Sequence, residues 1–178
     1  SEVKTVHGTT TNYAYEKQEM KFLNAVKNFP IHESPMFGSC GNYLIFAIKH
    51  PEALDVEIID STTMLVSQKM RISASIPKES SMEVRGFGID FLIRYQEPSQ
   101  SIIRVFKFDI EKAKFDEDAK NLLFKPDAEI QFSSNYVAVR EGSSVKILQE
   151  IDGDWKTEQF NFENEVKVHA NNHFVAVH

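Results

Sequence analysis

The order of apolar and polar residues changes character twice along the chain. Residues 1–12 are polar and turn-rich, apart from the alternating piece Val3-Lys4-Thr5-Val6, and read as a leader. From Tyr13 the spacing becomes helical. Tyr15, Phe22, Leu23 and Val26 fall along one stripe while Lys17, Gln18, Lys21 and Lys27 take the other side, which predicts one amphipathic helix over Tyr13–Asn28. Asn12 is placed to cap its first turn, and Asn28-Phe29-Pro30 ends it, since the residue before a proline avoids the α region. Such a helix serves either as a lid on the domain that follows or as a docking helix for another protein.

After Pro35 the period shortens to that of strands. Met36–Ser39, Asn42–Ile48, Asp55–Ile59 and Leu65–Ile72 are four short runs rich in β-branched and aromatic residues. Met82–Arg85, Asp90–Tyr95, Ser101–Phe108 and Asn121–Phe124 repeat the order. Between the last two lies a charged insert, Asp109–Lys120, which is expected to be a solvated loop or one helical turn. Glu129–Phe132, Tyr136–Val139, Ser144–Leu148 and Thr157–Phe160 form a third group, closed by the turn signals Ser133-Ser134-Asn135, Glu141-Gly142-Ser143 and Asp152-Gly153-Asp154. Val166–Val168 and Phe174–Val177 begin a fourth.

The groups superpose on an aromatic residue. Asn42-Tyr43-Leu44, Asp90-Phe91-Leu92, Asn135-Tyr136-Val137 and His173-Phe174-Val175 place Tyr43, Phe91, Tyr136 and Phe174 at intervals of 48, 45 and 38 residues. A short polar residue, an aromatic, two or three aliphatics, a turn and a second apolar run resemble the inner strands of WD40-like β-propeller blades, which have about 40–50 residues and four antiparallel strands. The likeness concerns architecture. No Gly-His precedes the blades, and Ile59-Asp60, Phe106-Lys107 and Leu148-Gln149 stand where Trp-Asp belongs. The resemblance implies an all-β partial propeller of about 3.5 blades over 36–178, divided at 36–76, 82–125, 129–162 and 165–178, and preceded by the helix of 13–30. A β-sandwich is the alternative. Leu44–Ile48, Phe91–Ile93 and Tyr136–Val139 are nearly continuous in apolar residues, as strands covered on both faces must be.

Composition narrows the function. A chain of 178 residues with a formal charge of −6 lacks the basic surplus that phosphate-backbone binding wants, so nucleic acid is disfavoured. No apolar run approaches the ~20 residues of a membrane-spanning helix. One cysteine, Cys40, and no Asn-x-Ser/Thr acceptor point to an intracellular protein, cytoplasmic or nuclear.

Candidate chemistry is sparse. There is no Gly-rich phosphate loop, His-Glu-x-x-His, Cys pair or Gly-x-Ser-x-Gly. His169 and His173 flank a turn, yet no third ligand accompanies them, and Asp152-Gly153-Asp154 lacks the later oxygens of a calcium loop, so no metal and no cofactor are expected. Cys40 reads as a structural thiol. Arg85, Arg94, Arg104 and Arg140 recur on successive strands, either paired with Glu83, Glu97 and Glu141 or lining a groove for an acidic peptide. Trp155, the one tryptophan, is either a packing residue or a binding anchor.

The repeat without catalytic signatures predicts a non-catalytic protein–protein interaction scaffold, a propeller segment within an intracellular multi-protein complex. The alternative is a ligand-binding or enzymatic propeller with a central-channel pocket. Three and a half blades leave a sheet edge to be covered, by further chain, by the Val3–Val6 segment or by a second polypeptide. The expected partner-binding residues are Val166, Val168, Phe174, Val175 and Val177 on the terminal strands, Phe22, Leu23 and Val26 on the helix, and Trp155.

Overall fold

The computed structural model describes residues 36–152, 154–171 and 175–177, and every regular element among them is a strand. The predicted leader and the helix over Tyr13–Asn28 lie outside the described residues, as does Phe174. Four strands, β1 (Met36–Cys40), β2 (Tyr43–Lys49), β3 (Ala53–Asp60) and β4 (Leu65–Ser73), form an antiparallel meander in the order of the chain. In the second sheet β5 (Met82–Phe87), β6 (Asp90–Glu97) and β7 (Gln100–Phe106) are followed by a small ribbon, β8 (Phe108–Asp109) and β9 (Lys114–Phe115), before β10 (Lys120–Phe124) completes the meander beside β7. The third sheet is β11 (Glu129–Phe132), β12 (Tyr136–Glu141), β13 (Ser144–Ile151) and β14 (Asp154–Asn161); β15 (Val168–Ala170) and β16 (Val175–Val177) pair in a fourth, two-stranded sheet.

The sheets follow one another through three cores. Ile45 and Ala47 of β2 face Phe91, Ile93 and Tyr95 of β6 in the first. Leu92 of β6, with Ile103 and Val105 of β7, meets Val137 and Val139 of β12 in the second. Tyr136 and Ala138, from the other face of β12, meet Val166 and Val168 in the third. Successive residues of β6 and β12 therefore point into different cores, and because both faces are covered their sequences run apolar without alternation. A two-sheet sandwich has one such core; the described residues form three in series. By contrast β14 is exposed along most of its length, with polar and apolar residues mixed.

The first strands of successive sheets lie side by side. A Cβ on Gly38 would stand 2.6 Å from the Val84 carbonyl oxygen, and one on Gly86 would clash with the Ser39 carbonyl oxygen, so β1 and β5 approach at backbone contact distance because both carry glycine there. The Arg85 guanidinium of β5 lies 5.5 Å from the centre of the Phe132 ring at the end of β11. Next to β15, the Gln131 side chain of β11 copies a strand: its Nε2 donates to Val168 O at 2.6 Å and its Oε1 accepts from Ala170 N at 2.7 Å.

Two expectations change. The charged insert is a β-ribbon, and its single aromatic decides this. Phe115 is buried against Tyr43, Phe91 and Phe108 at centroid distances of 5.4, 4.8 and 4.9 Å, while Gln68 of β4 donates to Phe115 O at 2.7 Å and accepts from Phe115 N at 3.0 Å. The aromatic superposition also slips by one residue in the second sheet. Cys40 pairs with Tyr43 and Phe87 with Asp90 across two-residue turns opened by Gly41 (φ 54°) and Gly88 (φ 62°), and Ser133 N donates to Tyr136 O across a turn of the same length. Asp90, and not Phe91, thus holds the place of Tyr43 and Tyr136. In the first two sheets a left-handed glycine opens the turn that sets the register, and in all three the two-residue turn fixes which residue starts the second strand, wherever the aromatic falls.

Candidate functional site

The terminal residues expected to bind a partner are brought together, with their side chains turned inward. Val166 and Val168 are buried against Tyr136, Ala138 and Val145, and Val175 and Val177 pack partly on the same cluster. What β16 presents on its far side is backbone, since among the described residues its only strand neighbour is β15. Trp155 stacks on Phe87 at 5.2 Å and belongs to the second core, so it fastens the start of β14 to the second sheet. Phe22, Leu23, Val26 and Phe174 lie outside the described residues.

Three of the four arginines have polar partners. Arg85 pairs with Glu83 at 2.5 Å, and Arg140 bridges Glu129 at 2.6 Å and Glu165 at 2.7 Å. Arg104 donates to the Tyr95 hydroxyl at 2.7 Å and to Ser73 O at 2.8 Å. Burial lowers the pKa of Arg94, opposed by Glu83 beside it. The Glu141 partner is Lys146. His169 stands exposed on β15, His173 lies outside the described residues, and no group of three metal-ligating side chains occurs among the described residues. Asp152 occupies the β13–β14 turn with φ 54°.

Two further constellations have no counterpart in the sequence reading. At the seam of the second and third sheets, the shifted register delivers a carboxyl group into the interior. Asp90 is only 5% exposed, and its Oδ1 accepts from Phe108 N at 2.8 Å. Across from it Glu150 pairs with Lys107 at 2.7 Å. Burial, with Glu150 nearby, pushes Asp90 up to about 6, against the opposing pull of the Phe108 amide and Lys107. Cys40 approaches from the first sheet and donates to Asp90 O at 2.9 Å; burial and the Asp90 charge raise its thiol pKa, which favours the protonated form.

The other constellation is a cleft of about 810 Å³ at the end of the first two sheets where β2 stops and β5 starts. Met36, Ile76 and Met82 supply apolar wall, and Lys49, His50 and Lys78 supply basic groups. The Lys49 ammonium spans the connection between the sheets, donating to Lys78 O at 2.5 Å and Ser80 O at 2.7 Å. His50 pairs through Nε2 with Asp55 at 3.0 Å, and Arg71 reaches the same oxygen at 3.3 Å.

No family model matches the chain, and no curated protein or solved structure matches it. Function has therefore to be read from these surfaces. The thiol and the carboxyl are both buried, whereas the cleft and the outer edge of β16 are left uncovered by the described residues.

Proposed function

We propose that the chain is a WD40-like propeller segment serving as a non-catalytic platform for protein partners within an intracellular assembly. The observation that carries this reading is the repetition itself: three four-stranded meanders and a further hairpin, with first strands side by side and one core between each sheet and the next. Rigid blades of this kind hold their edges and end loops in fixed positions, which is what a docking platform requires. In this reading the outer edge of β16 accepts an added strand by backbone pairing, and Val166, Val168, Val175 and Val177 hold the hairpin on the third sheet so that the edge is presented. The helix expected over Tyr13–Asn28, with Phe22, Leu23 and Val26, gives a second contact. The lone cysteine and the lack of an Asn-x-Ser/Thr acceptor support an intracellular place.

Amide hydrogen exchange, read beside light scattering, tests it. Within Val175–Val177, amides that point away from β15 are expected to exchange faster in the dilute monomer than those that point toward it, and to slow when the chain associates with itself or with a strand-donating partner. Slow exchange at the outward-pointing amides in a dilute monomer, unchanged by association, would overturn the edge-docking reading.

A further inference from the structure

We propose that the cleft between the first two sheets binds an acidic peptide segment of a partner protein, one that places apolar side chains beside its carboxylates. Its walls are those of a peptide site. Among its lining residues Ile76 and Met82 are buried and Met36 is 39% exposed, and the flexible thioethers of two methionines adapt to varied apolar side chains. A volume of about 810 Å³ falls within the ~300–1,000 Å³ of ordinary ligand sites.

The charge is matched to an anion. Lys49 gives two of its three N–H donors to carbonyl oxygens, and neither it nor Lys78 meets a carboxylate among the described residues. Asp55, paired with the lining residue His50, also faces Arg71. Glu52 and Glu79 are exposed beside the cleft and are not part of its lining. On a chain of net charge −6, two ammonium groups left without carboxylates at one apolar cleft form a local exception, and carboxylates of a partner complement them.

The site is also held ready. Besides the Lys49 strut, Ser80 N donates to Pro77 O at 2.9 Å, Ser80 Oγ to Gln96 O at 2.8 Å and Ala74 N to Glu52 O at 3.2 Å, so the connection is fixed at both ends. Binding then costs little ordering of the receptor. An inorganic anion alone would leave the apolar walls unused, and a nucleic-acid strand would need a basic surface beyond the cleft.

Fluorescence anisotropy with a labelled short peptide alternating glutamate and leucine tests the proposal, with alternating lysine–leucine and glutamate–serine peptides beside it. Saturable binding of the first peptide alone is expected, weakening with added salt. Lys78→Glu, at an exposed position, should lower its affinity by about tenfold, the order of a partly screened charge reversal, while Lys156→Glu on β14 leaves it unchanged. Thermal melts of both variants confirm that the fold survives. Absence of saturable binding, equal binding of the glutamate–serine peptide, indifference to Lys78→Glu, or full displacement by hexanoate would each overturn it. These outcomes are separate from the exchange behaviour of β16, so either reading can fail alone.

Discussion

The first and third cores are built on the same plan and differ in depth. Between the first two sheets 18 buried residues pack together, with Phe91 stacked on Phe106 at 4.5 Å and edge-on to Phe115, whereas the third core has five among the described residues, most of them aliphatic. The first is closed further by backbone contact between β1 and β5 and by the Gln68 clamp on β9. The third relies on the Gln131 clamp and on the Tyr136 hydroxyl, which donates to Asn171 O. From this difference among the described residues we expect graded stability, with openings that leave the first core intact releasing the β15–β16 hairpin first.

Truncation separates the two ends most strongly. Phe91→Ala should lower the global unfolding free energy by ~3–5 kcal/mol in a denaturant titration, the range for a fully buried aromatic. Tyr136→Ala should cost less, on the order of 2 kcal/mol, and its main sign should be faster amide exchange in β15 and β16 while β6 stays protected. Equal global losses would erase the gradient.

The β1–β5 approach is the next point of leverage. Gly86→Ala drives a methyl group into the Ser39 carbonyl, so a loss of about 1–3 kcal/mol is expected, against a near-neutral result for an alanine on the open face of a strand. Calorimetry of the variant decides whether the contact is as tight in solution.

The smallest effect is the one with the clearest signature. Asp90 has a folded pKa of about 6 against 3.8 when free, so between those values the folded chain keeps a proton that the unfolded chain has released. Its contribution is most favourable below pH 3.8 and is lost as pH rises through 6, with an order of magnitude of about 1–3 kcal/mol. Asp90→Asn keeps an acceptor for Phe108 N and carries no charge. It should be more stable than the parent at pH 7, and its stability should be flatter across that window. A parent whose Asp90-dependent stability stays flat from pH 4 to 6 would show a carboxyl as well solvated as in the unfolded chain, and one that rises would show an anion favoured by the fold; either would refute the raised pKa.

Most strands were legible because each inner run is apolar on both faces. Asp90–Tyr95 and Tyr136–Val139 as read become β6 and β12 with ends moved by two residues. Periodicity reports that a side chain is buried, and it is silent on which neighbour buries it. That is why Phe91 was aligned with Tyr43 although the turn at Gly88 puts Asp90 there, and why the lone aromatic of the charged insert gave no sign of reaching the core. The terminal valines were legible as strand residues, yet their spacing could not distinguish a face turned to a partner from one turned to Tyr136. The cleft was least legible of all. Its walls come from Met36, Lys49, Met82 and the aperiodic connection around Ile76 and Lys78, positions that meet only once two sheets have packed.

The bond from Cys40 to the carbonyl of Asp90 has a practical corollary. The chain's single thiol sits where β1 meets the turn into β6, shielded from reagents for as long as the first two sheets stay together. Its rate of alkylation is therefore an internal clock for the parting of that seam, readable by mass spectrometry on the unmodified chain.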